Sequence, residues 1–280
     1  MADLPFLDRP PTASEVIWLQ CAFSTFADGS GDPRKAGDTI ANWRDYERVF
    51  RQFYGGVAPE GKQVYDVFIE LDTPGHWAGL SIKSKCLGQY SKFPFAEQAY
   101  LELTNSPRKM WGGLSVYGLH ESDWGNPDKA QEIGSHLLDV VTSWHDDAKD
   151  FFRPPDGKTC SSIEPTDSIY LNVSYSEPNK QMRRSYRIDA FDMRLMRPDT
   201  WVYRPGKNGQ IRSIMGMLNG NTIWDWYANS GGQLKYYPPF SAAHFSTPIF
   251  DTLNPGQAEN LEDKMTKYWP EMSGRWSTPT

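Results

Sequence analysis

The sequence predicts an α+β fold, in which an α/β core, a mixed β-sheet flanked by helices, is followed by a β-rich C-terminal half. Apolar residues recur every three or four positions in the first half, most clearly over Asp128–Phe152, and this spacing indicates amphipathic helices. Short alternating segments such as Ser168–Tyr175 dominate the second half and indicate strands. The chain of 280 residues is predicted to form a single domain over 1–280, with a core at about 40–152 and a β-rich part at about 165–280.

Helical spacing predicts four long helices. In the second of them an apolar stripe runs from Trp43 to Phe53, and Gly55 is placed to end the helix. Ser106 and Pro107 have the pattern of a further helix start, with a capping serine followed by proline. The long helices are Glu15–Phe26, Ala41–Tyr54, Asp128–Phe152 and Ala258–Trp269, with a Gly/Asp loop at Asp28–Asp38 and a Pro-rich linker at Phe152–Pro165.

Several strands are predicted from alternation and from β-branched and aromatic residues. Ser168–Tyr175 is expected to pair with Ser185–Phe191 across a short turn. Two earlier segments, Val64–Leu71 and Trp77–Lys85, are separated by Thr73-Pro74-Gly75 and predict a hairpin. Further short strands are expected near 200–204, 211–218, 222–227 and 233–237.

The predicted hairpin brings chemistry-bearing residues together. Alternation places Tyr65 with the apolar residues of the first strand and Asp66 on the opposite side. Ser81 and Lys83 share one side of the second strand, so Lys83 is expected near Asp66. A carboxylate beside a lysine can hold Mg²⁺ and orient a water molecule against a phosphate. The alternative is a surface hairpin with an ordinary cross-strand ion pair.

The set Asp66, Ser81 and Lys83 resembles the signature of the PD-(D/E)xK nuclease superfamily, and within it that of type II restriction endonucleases. The acidic position before the lysine is Ser81 here, which departs from the common pattern and resembles a subgroup with Ser-x-Lys. In that subgroup the missing carboxylate lies downstream on a following helix. Glu97, fourteen residues after Lys83, has the expected spacing, whereas Glu102 lies in a segment similar to one found in such enzymes; Glu102 is preferred and Glu97 stays open.

The resemblance implies a restriction-endonuclease-like domain that cuts double-stranded DNA with Mg²⁺ and acts as a homodimer. Asp66 and Glu102 are the implied metal ligands, Lys83 is the implied residue that positions water, and Ser81 is implied to form a hydrogen bond within the site. Glu47, on the helix before the catalytic hairpin, matches an acidic residue that such nucleases direct toward the site. The alternative for Glu47 is an ion pair with Arg44 or Arg51 at helical spacing.

The net charge of −6 is unevenly distributed along the chain. Residues 180–212 hold nine basic and three acidic side chains, so this segment is a candidate for contact with DNA phosphates, with Trp201 and Tyr203 able to hold DNA or read bases. The alternative is a solvated pair of strands with alternating charge. The candidate DNA-binding residues are Lys85, Arg108, Lys109, Arg183, Arg184, Arg187 and Arg204.

Composition limits the other classes. Three widely spaced cysteines give no disulfide framework, no apolar run is long enough to cross a membrane, and a cytoplasmic protein is expected. Two alternatives to a restriction enzyme stay open. One is a nuclease-fold protein that binds nucleic acid without cutting it, and the other is a carbohydrate-active protein, suggested by the abundance of Trp and Tyr.

Overall fold

The computed structural model describes residues 3–27, 31–35, 38–58, 64–151, 163, 165–206 and 209–253. Within these residues helices and β-sheets occur together and strands dominate the second half, which confirms the predicted α+β class. The α-helices are α1 Ala13–Ser24, α2 Trp43–Tyr54, α3 Pro107–Ser115 and α4 Ala130–Phe151. The strands are β1 Asp32–Lys35, β2 Asp38–Ile40, β3 Val67–Glu70, β4 Trp77–Cys86, β5 Leu101–Asn105, β6 Ile169–Tyr175, β7 Ser185–Asp192, β8 Thr200–Pro205, β9 Ile211–Leu218, β10 Asn221–Tyr227, β11 Gln233–Tyr236, β12 Phe245–Ser246 and β13 Phe250–Asp251.

The chain divides into two compact units whose segments interleave. The first unit comprises Met1–Ala96, Phe152–Asp192 and Ala243–Thr280, and the second comprises Glu97–Phe151 and Met193–Ala242. Each unit therefore draws on both halves of the sequence, which differs from the division into an earlier core and a later β-rich part. The single-domain assignment stays a prediction.

The first unit contains a mixed sheet with the strand order β12-β7-β6-β4-β3, and β13 also pairs with β7. Strands β4 and β6 are parallel, whereas β3 with β4 and β6 with β7 are antiparallel. One face of this sheet carries apolar residues such as Val67, Leu80 and Leu171, which belong to a core shared with α1 and α2. The opposite face carries the polar residues described below.

Local sequence explains why α1 and α2 form where they do. Thr12 and Glu15 form a reciprocal capping box at the start of α1, and Asn42 with Asp45 does the same for α2. Gly55 ends α2 in the left-handed conformation (φ 66°), as predicted. The predicted apolar stripe is wrong at Trp43, which is 47% exposed because it lies at the first position of α2, beyond the edge of the packed face.

The second unit contains an antiparallel sheet with the strand order β5-β11-β10-β9-β8, and helix α4 packs on β8 and β9. Large aromatic side chains fill its core: Trp224 and Trp226 are fully buried and Trp201 is nearly so. The approach of α4 to this layer depends on Gly134, because a Cβ atom there would lie 2.1 Å from the Trp201 ring. A side chain at this position would force the helix away from the sheet.

Most predicted elements are confirmed. The strands expected near 200–204, 211–218, 222–227 and 233–237 are β8 to β11, and β6 pairs with β7 as predicted. The loop predicted at Asp28–Asp38 is wrong in part, because β1 and β2 pair there, and β5 was not predicted as a strand. The predicted helix Ala258–Trp269 and nearly all of the predicted linker Phe152–Pro165 lie outside the described residues.

No helix among the described residues combines the length and the apolar character that a membrane crossing requires.

Candidate functional site

The predicted hairpin is present, and it places Lys83 beside Asp66. Strands β3 and β4 pair with Val67 opposite Leu80, and Asp66 lies directly before β3. The Asp66 N–H donates to the Leu80 carbonyl (2.8 Å), and its Oδ2 accepts from the Ile82 N–H (2.7 Å). Lys83 Nζ lies 3.9 Å from the same Oδ2. The Asp66 carboxylate therefore adds a side-chain hydrogen bond next to the pairing of β3 with β4, and it also faces the Lys83 ammonium group.

Both members of this pair remain accessible to solvent. The Asp66 side chain is 23% exposed and that of Lys83 is 21% exposed. Ser81, two residues before Lys83 on the same strand face, is buried, and its hydroxyl has no hydrogen-bond partner among the described residues. The site thus combines an accessible carboxylate and ammonium with a buried hydroxyl on the same strand face as Lys83.

The predicted placement of Tyr65 is wrong. A Cβ atom on Gly79 would lie 2.3 Å from the Tyr65 ring, and Gly79 is the register partner of Phe68. Tyr65 therefore lies on the Phe68 face, opposite to Val67. The physical reason is that β3 begins only at Val67, so the strict alternation of a strand does not extend back to Tyr65.

A polar row crosses the sheet from Lys83. In the parallel register Lys83 pairs with Asn172 of β6, and Asn172 pairs with Asp189 of β7. Asp189 pairs in turn with Ser246 of β12. Because register partners on neighbouring strands share a face, the four side chains form one line across the sheet. The row is separate from the apolar core on the other face.

The far end of this row is closed and buried. Asp189 and Asn172 have no exposed surface, and Asp189 Oδ1 accepts from Arg187 Nε (2.7 Å) and Ser246 Oγ (2.6 Å). Burial raises the pKa of Asp189 against the opposing effects of Ser246 and Arg187. Asn172 Oδ1 and Asp189 Oδ2 have no hydrogen-bond partner within the described part of the chain. Such buried oxygens are normally satisfied by ordered water or by a donor from a ligand.

The two candidates for the downstream carboxylate lie in the second unit, whereas Asp66 lies in the first. Glu97 is exposed outside any helix or strand. Glu102 is half-buried on β5, where its Oε1 accepts from Gln233 Nε2 (3.5 Å) and its register partner is Lys235. In the resembled subgroup this acid lies on a helix, whereas the segment around Glu102 forms a strand that pairs with β11. In the described ranges, no three His, Cys, Asp or Glu side chains are grouped to hold a metal ion.

Glu47 and Lys85 lie on the helix and the strand that were predicted for them. Glu47 is half-buried on α2, the helix that packs against β3 and β4. Lys85 is half-buried on β4, two residues beyond Lys83 on the same strand face. Their roles stay predictions.

Three of the arginines predicted to contact DNA have partners inside the protein. Arg184 is 5% exposed, and its Nη1 donates to the Ser176 carbonyl (2.8 Å). Arg187 is bound to buried Asp189, and Arg204 Nη1 donates to Asp225 Oδ2 (2.9 Å). The burial of Arg184 argues that its guanidinium stabilises the fold, because a buried cation released from its partner would be costly.

The other predicted DNA contacts lie nearer to solvent. Arg183 is half-buried, and Arg108 and Lys109 are exposed in the first turn of α3. Lys109 Nζ lies 4.2 Å from the centroid of the Trp144 ring. The aromatic residues proposed to read bases belong instead to the packing of the second unit: Trp201 is 4% exposed, and the Tyr203 ring contacts Trp124.

Sequence reasoning missed Asn172 and Asp189 as neighbours of the candidate site. A signal was present, because Ser168, Tyr170, Asn172 and Ser174 alternate with apolar residues and predict a polar strand face. The parallel register that joins this face to Lys83 could not be read from alternation alone.

No family model, curated protein or solved structure matches the chain. The resemblance to restriction endonucleases therefore depends on the motif residues alone.

Proposed function

We propose that the protein is a Mg²⁺-dependent endodeoxyribonuclease of the restriction type, which hydrolyses phosphodiester bonds in double-stranded DNA. The observation that carries the proposal is the accessible pair of Asp66, directly before β3, and Lys83 on the antiparallel neighbour β4. A carboxylate and an ammonium group in this arrangement can bind a cation and hold a water molecule beside a phosphate.

The residues fit a Mg²⁺ site with few protein ligands. Mg²⁺ is usually held by one or two carboxylates, with water and substrate phosphate oxygens completing its coordination. Asp66 would be the ligand that the first unit supplies. The second carboxylate, Glu102 or alternatively Glu97, stays what the resemblance implies. When bound, Mg²⁺ would supply charge stabilisation at the phosphate.

The protein side chains would have distinct roles. Lys83 would orient the attacking water, and its ammonium would place a positive charge near the phosphate. The ammonium is suited to this role because it lies beside Asp66 in a partly exposed position. Ser81 would contribute its buried hydroxyl from the same face of β4 as Lys83. Glu47 would act as an additional acidic residue from α2. The proposal includes a homodimer that matches a two-fold symmetric DNA site and a cytoplasmic location.

A second function is favoured by one observation. The Asp66 carboxylate already accepts the Ile82 N–H and faces Lys83, and these two contacts would be enough if its role were to close the hairpin. The protein would then bind nucleic acid without cutting it. Metal-dependent cleavage separates the two functions.

The test is incubation with unmethylated phage DNA in Mg²⁺ and, separately, in EDTA. We expect discrete fragments only with Mg²⁺, and a loss of cleavage by about a hundredfold or more in Asp66→Asn and in Lys83→Met. Lys92→Met, which alters an exposed lysine of the same unit, is the matched control and should cut normally.

Circular dichroism would verify that the three variants are folded. Normal cleavage by Lys83→Met would show that the site is wrong. DNA binding by the wild-type protein without cleavage of any DNA would favour the binding function, and neither binding nor cleavage would exclude both.

A further inference from the structure

Three cations surround one tyrosine on the face of the second unit's sheet opposite to its tryptophan core. Lys235 Nζ lies 4.2 Å from the centroid of the Tyr227 ring, and the Arg212 guanidinium lies 5.6 Å from it. Arg204 joins the group through Asp225, because Arg204 Nη1 and the Tyr227 hydroxyl both donate to Asp225 Oδ2 (2.9 and 2.7 Å). Four strands of the same unit thus bring these side chains to one place.

The sheet register explains this convergence. Asp225 of β10 pairs with Lys235 of β11, and Tyr227 lies two residues further along β10 on the same face. Asp225 is 1% exposed, so the carboxylate that anchors Arg204 and Tyr227 is held inside the sheet face. The anchored side chains are themselves closer to solvent, with Arg204 33% exposed and Arg212 exposed.

The charge of the cluster is positive. The Asp225 carboxylate offsets the charge of one of the three cations. Glu102 of β5, which is the register partner of Lys235, offsets a second. With both carboxylates counted, one positive charge is left without a counter-ion in the cluster, so a further anion would be attracted to it. Cation–π contacts with the Tyr227 ring restrict the side chains of Lys235 and Arg212 before any ligand binds.

We propose that Arg204, Arg212 and Lys235 around Tyr227 form a phosphate-binding site, and that its occupant is a phosphate group of the DNA backbone. Guanidinium groups match the oxygen atoms of a phosphate in pairs, and Lys235 adds a compact charge. The choice of DNA as the source of the phosphate rests on the proposed function. The phosphate chemistry itself rests only on the cluster.

The site changes the assignment of DNA-contacting residues. Four of the seven predicted contacts came from the basic segment 180–212, in which Arg184 and Arg187 are bound to partners within the protein. Arg204 is bound to Asp225 but stays one-third exposed. Lys235 lies outside that segment and joins it only through the pairing of β10 with β11. We therefore expect Lys235 to matter more for DNA affinity than Arg184.

The test is DNA binding in EDTA, measured by fluorescence anisotropy with a short labelled duplex at salt concentrations from about 50 to 200 mM. The variants Arg212→Gln and Lys235→Gln, singly and combined, remove the charge but keep an unbranched stem with a polar end. Arg194→Gln, which alters an exposed arginine of the same unit, is the matched control. The combined variant should lower affinity about tenfold. Its slope of log affinity against log salt should become shallower by about one.

A parallel measurement identifies the source of the phosphate. Thermal unfolding would be recorded in inorganic phosphate and in chloride of equal ionic strength. Loss of DNA affinity in the combined variant, with Arg194→Gln unchanged, supports the proposal. Protection by inorganic phosphate that is lost in the variant while DNA affinity is unchanged would overturn the assignment to DNA, and no change in either measurement would overturn the site.

Failure of this site and failure of the nuclease proposal give different results. The binding measurement contains no Mg²⁺ and uses no cleavage, and Arg212 is exposed, so its replacement should not prevent folding. DNA binding that depends on the cluster, together with no cleavage of any DNA, would retain the phosphate site and exclude the nuclease.

Discussion

Two ion pairs lie on the same face of the first unit's sheet, and they differ in their exposure to solvent. Asp66 and Lys83 are 3.9 Å apart and each is about one-fifth exposed. Asp189 and Arg187 are 2.7 Å apart, and the Asp189 side chain has no exposed surface. The first pair is open to solvent, whereas the second belongs to a buried hydrogen-bond network. The proposed chemistry therefore requires the accessible pair of Asp66 and Lys83 and not the buried pair.

The largest expected change in stability comes from removing one member of the buried pair of Asp189 and Arg187. Arg187→Met removes the cation and leaves the Asp189 carboxylate buried, which should lower the free energy of unfolding by about 3 kcal/mol. Urea unfolding of the variant and the wild-type protein measures this change. The double variant Arg187→Met/Asp189→Leu removes both charges and should recover most of the loss. A loss below about 1 kcal/mol in the single variant would show that the pair is not buried in solution.

A smaller loss is expected from the hydroxyl that completes the same network. Ser246 Oγ donates to Asp189 Oδ1 at 2.6 Å, so Ser246→Ala removes a hydrogen bond to a buried carboxylate. The free energy of unfolding should fall by about 2 kcal/mol. Ser115→Ala is the control, because Ser115 is exposed and donates only to a carbonyl of its own helix. Equal effects of the two substitutions would contradict the burial of the network.

The pH dependence of Arg187→Met should distinguish a buried carboxylate from a hydrated one. Burial raises the pKa of Asp189 above its ordinary value of 3.8, so this group favours the folded state at low pH. That contribution is lost as the pH rises through the folded-state pKa. Without Arg187 the carboxylate is still harder to ionise, so the deficit of the variant should be larger at about pH 7 than at about pH 4, by about 1–2 kcal/mol.

Urea unfolding at the two pH values gives this difference directly, because the other acids contribute equally to both proteins. Adding Asp189→Asn to the variant removes the titrating group and should abolish the difference. A deficit that does not depend on pH would mean that Asp189 stays ionised and hydrated when Arg187 is absent.

The sequence was sufficient for the hairpin and for the accessible pair, because both depend on local patterns. The Pro-Gly turn and the alternation around Asp66 and Lys83 predict their proximity, and the two residues are found side by side. The buried pair depends on pairings between distant segments: Asp189 meets Asn172 through β6 and β7, and Ser246 returns from a position 57 residues along the chain. Sequence patterns do not specify these registers.

The same limitation explains why the sequence could not separate buried arginines from accessible ones in the basic segment 180–212. Arg183 and Arg184 are adjacent in a basic segment, yet Arg184 is buried against Ser176 and Arg183 is half-buried. Local charge density predicts a surface for phosphates but cannot show which cations turn inward. Glu102 stays a predicted metal ligand, whereas its strand β5 and its pairing with Lys235 were not predicted.

The smallest expected effect on stability is at the accessible pair, and it completes the comparison. Lys83→Met removes a partly exposed cation 3.9 Å from its partner, while Asp66 keeps the hydrogen bond from the Ile82 N–H. The free energy of unfolding should change by less than about 1 kcal/mol, in contrast to the loss in Arg187→Met. Urea unfolding of both variants under the same conditions measures the contrast. A Lys83→Met variant as unstable as Arg187→Met would assign Lys83 to the framework of the sheet, and loss of cleavage in it could then not be attributed to chemistry. A stable Lys83→Met variant that no longer cuts DNA would separate the two pairs by role, because only the accessible pair would have a function beyond holding the sheet together.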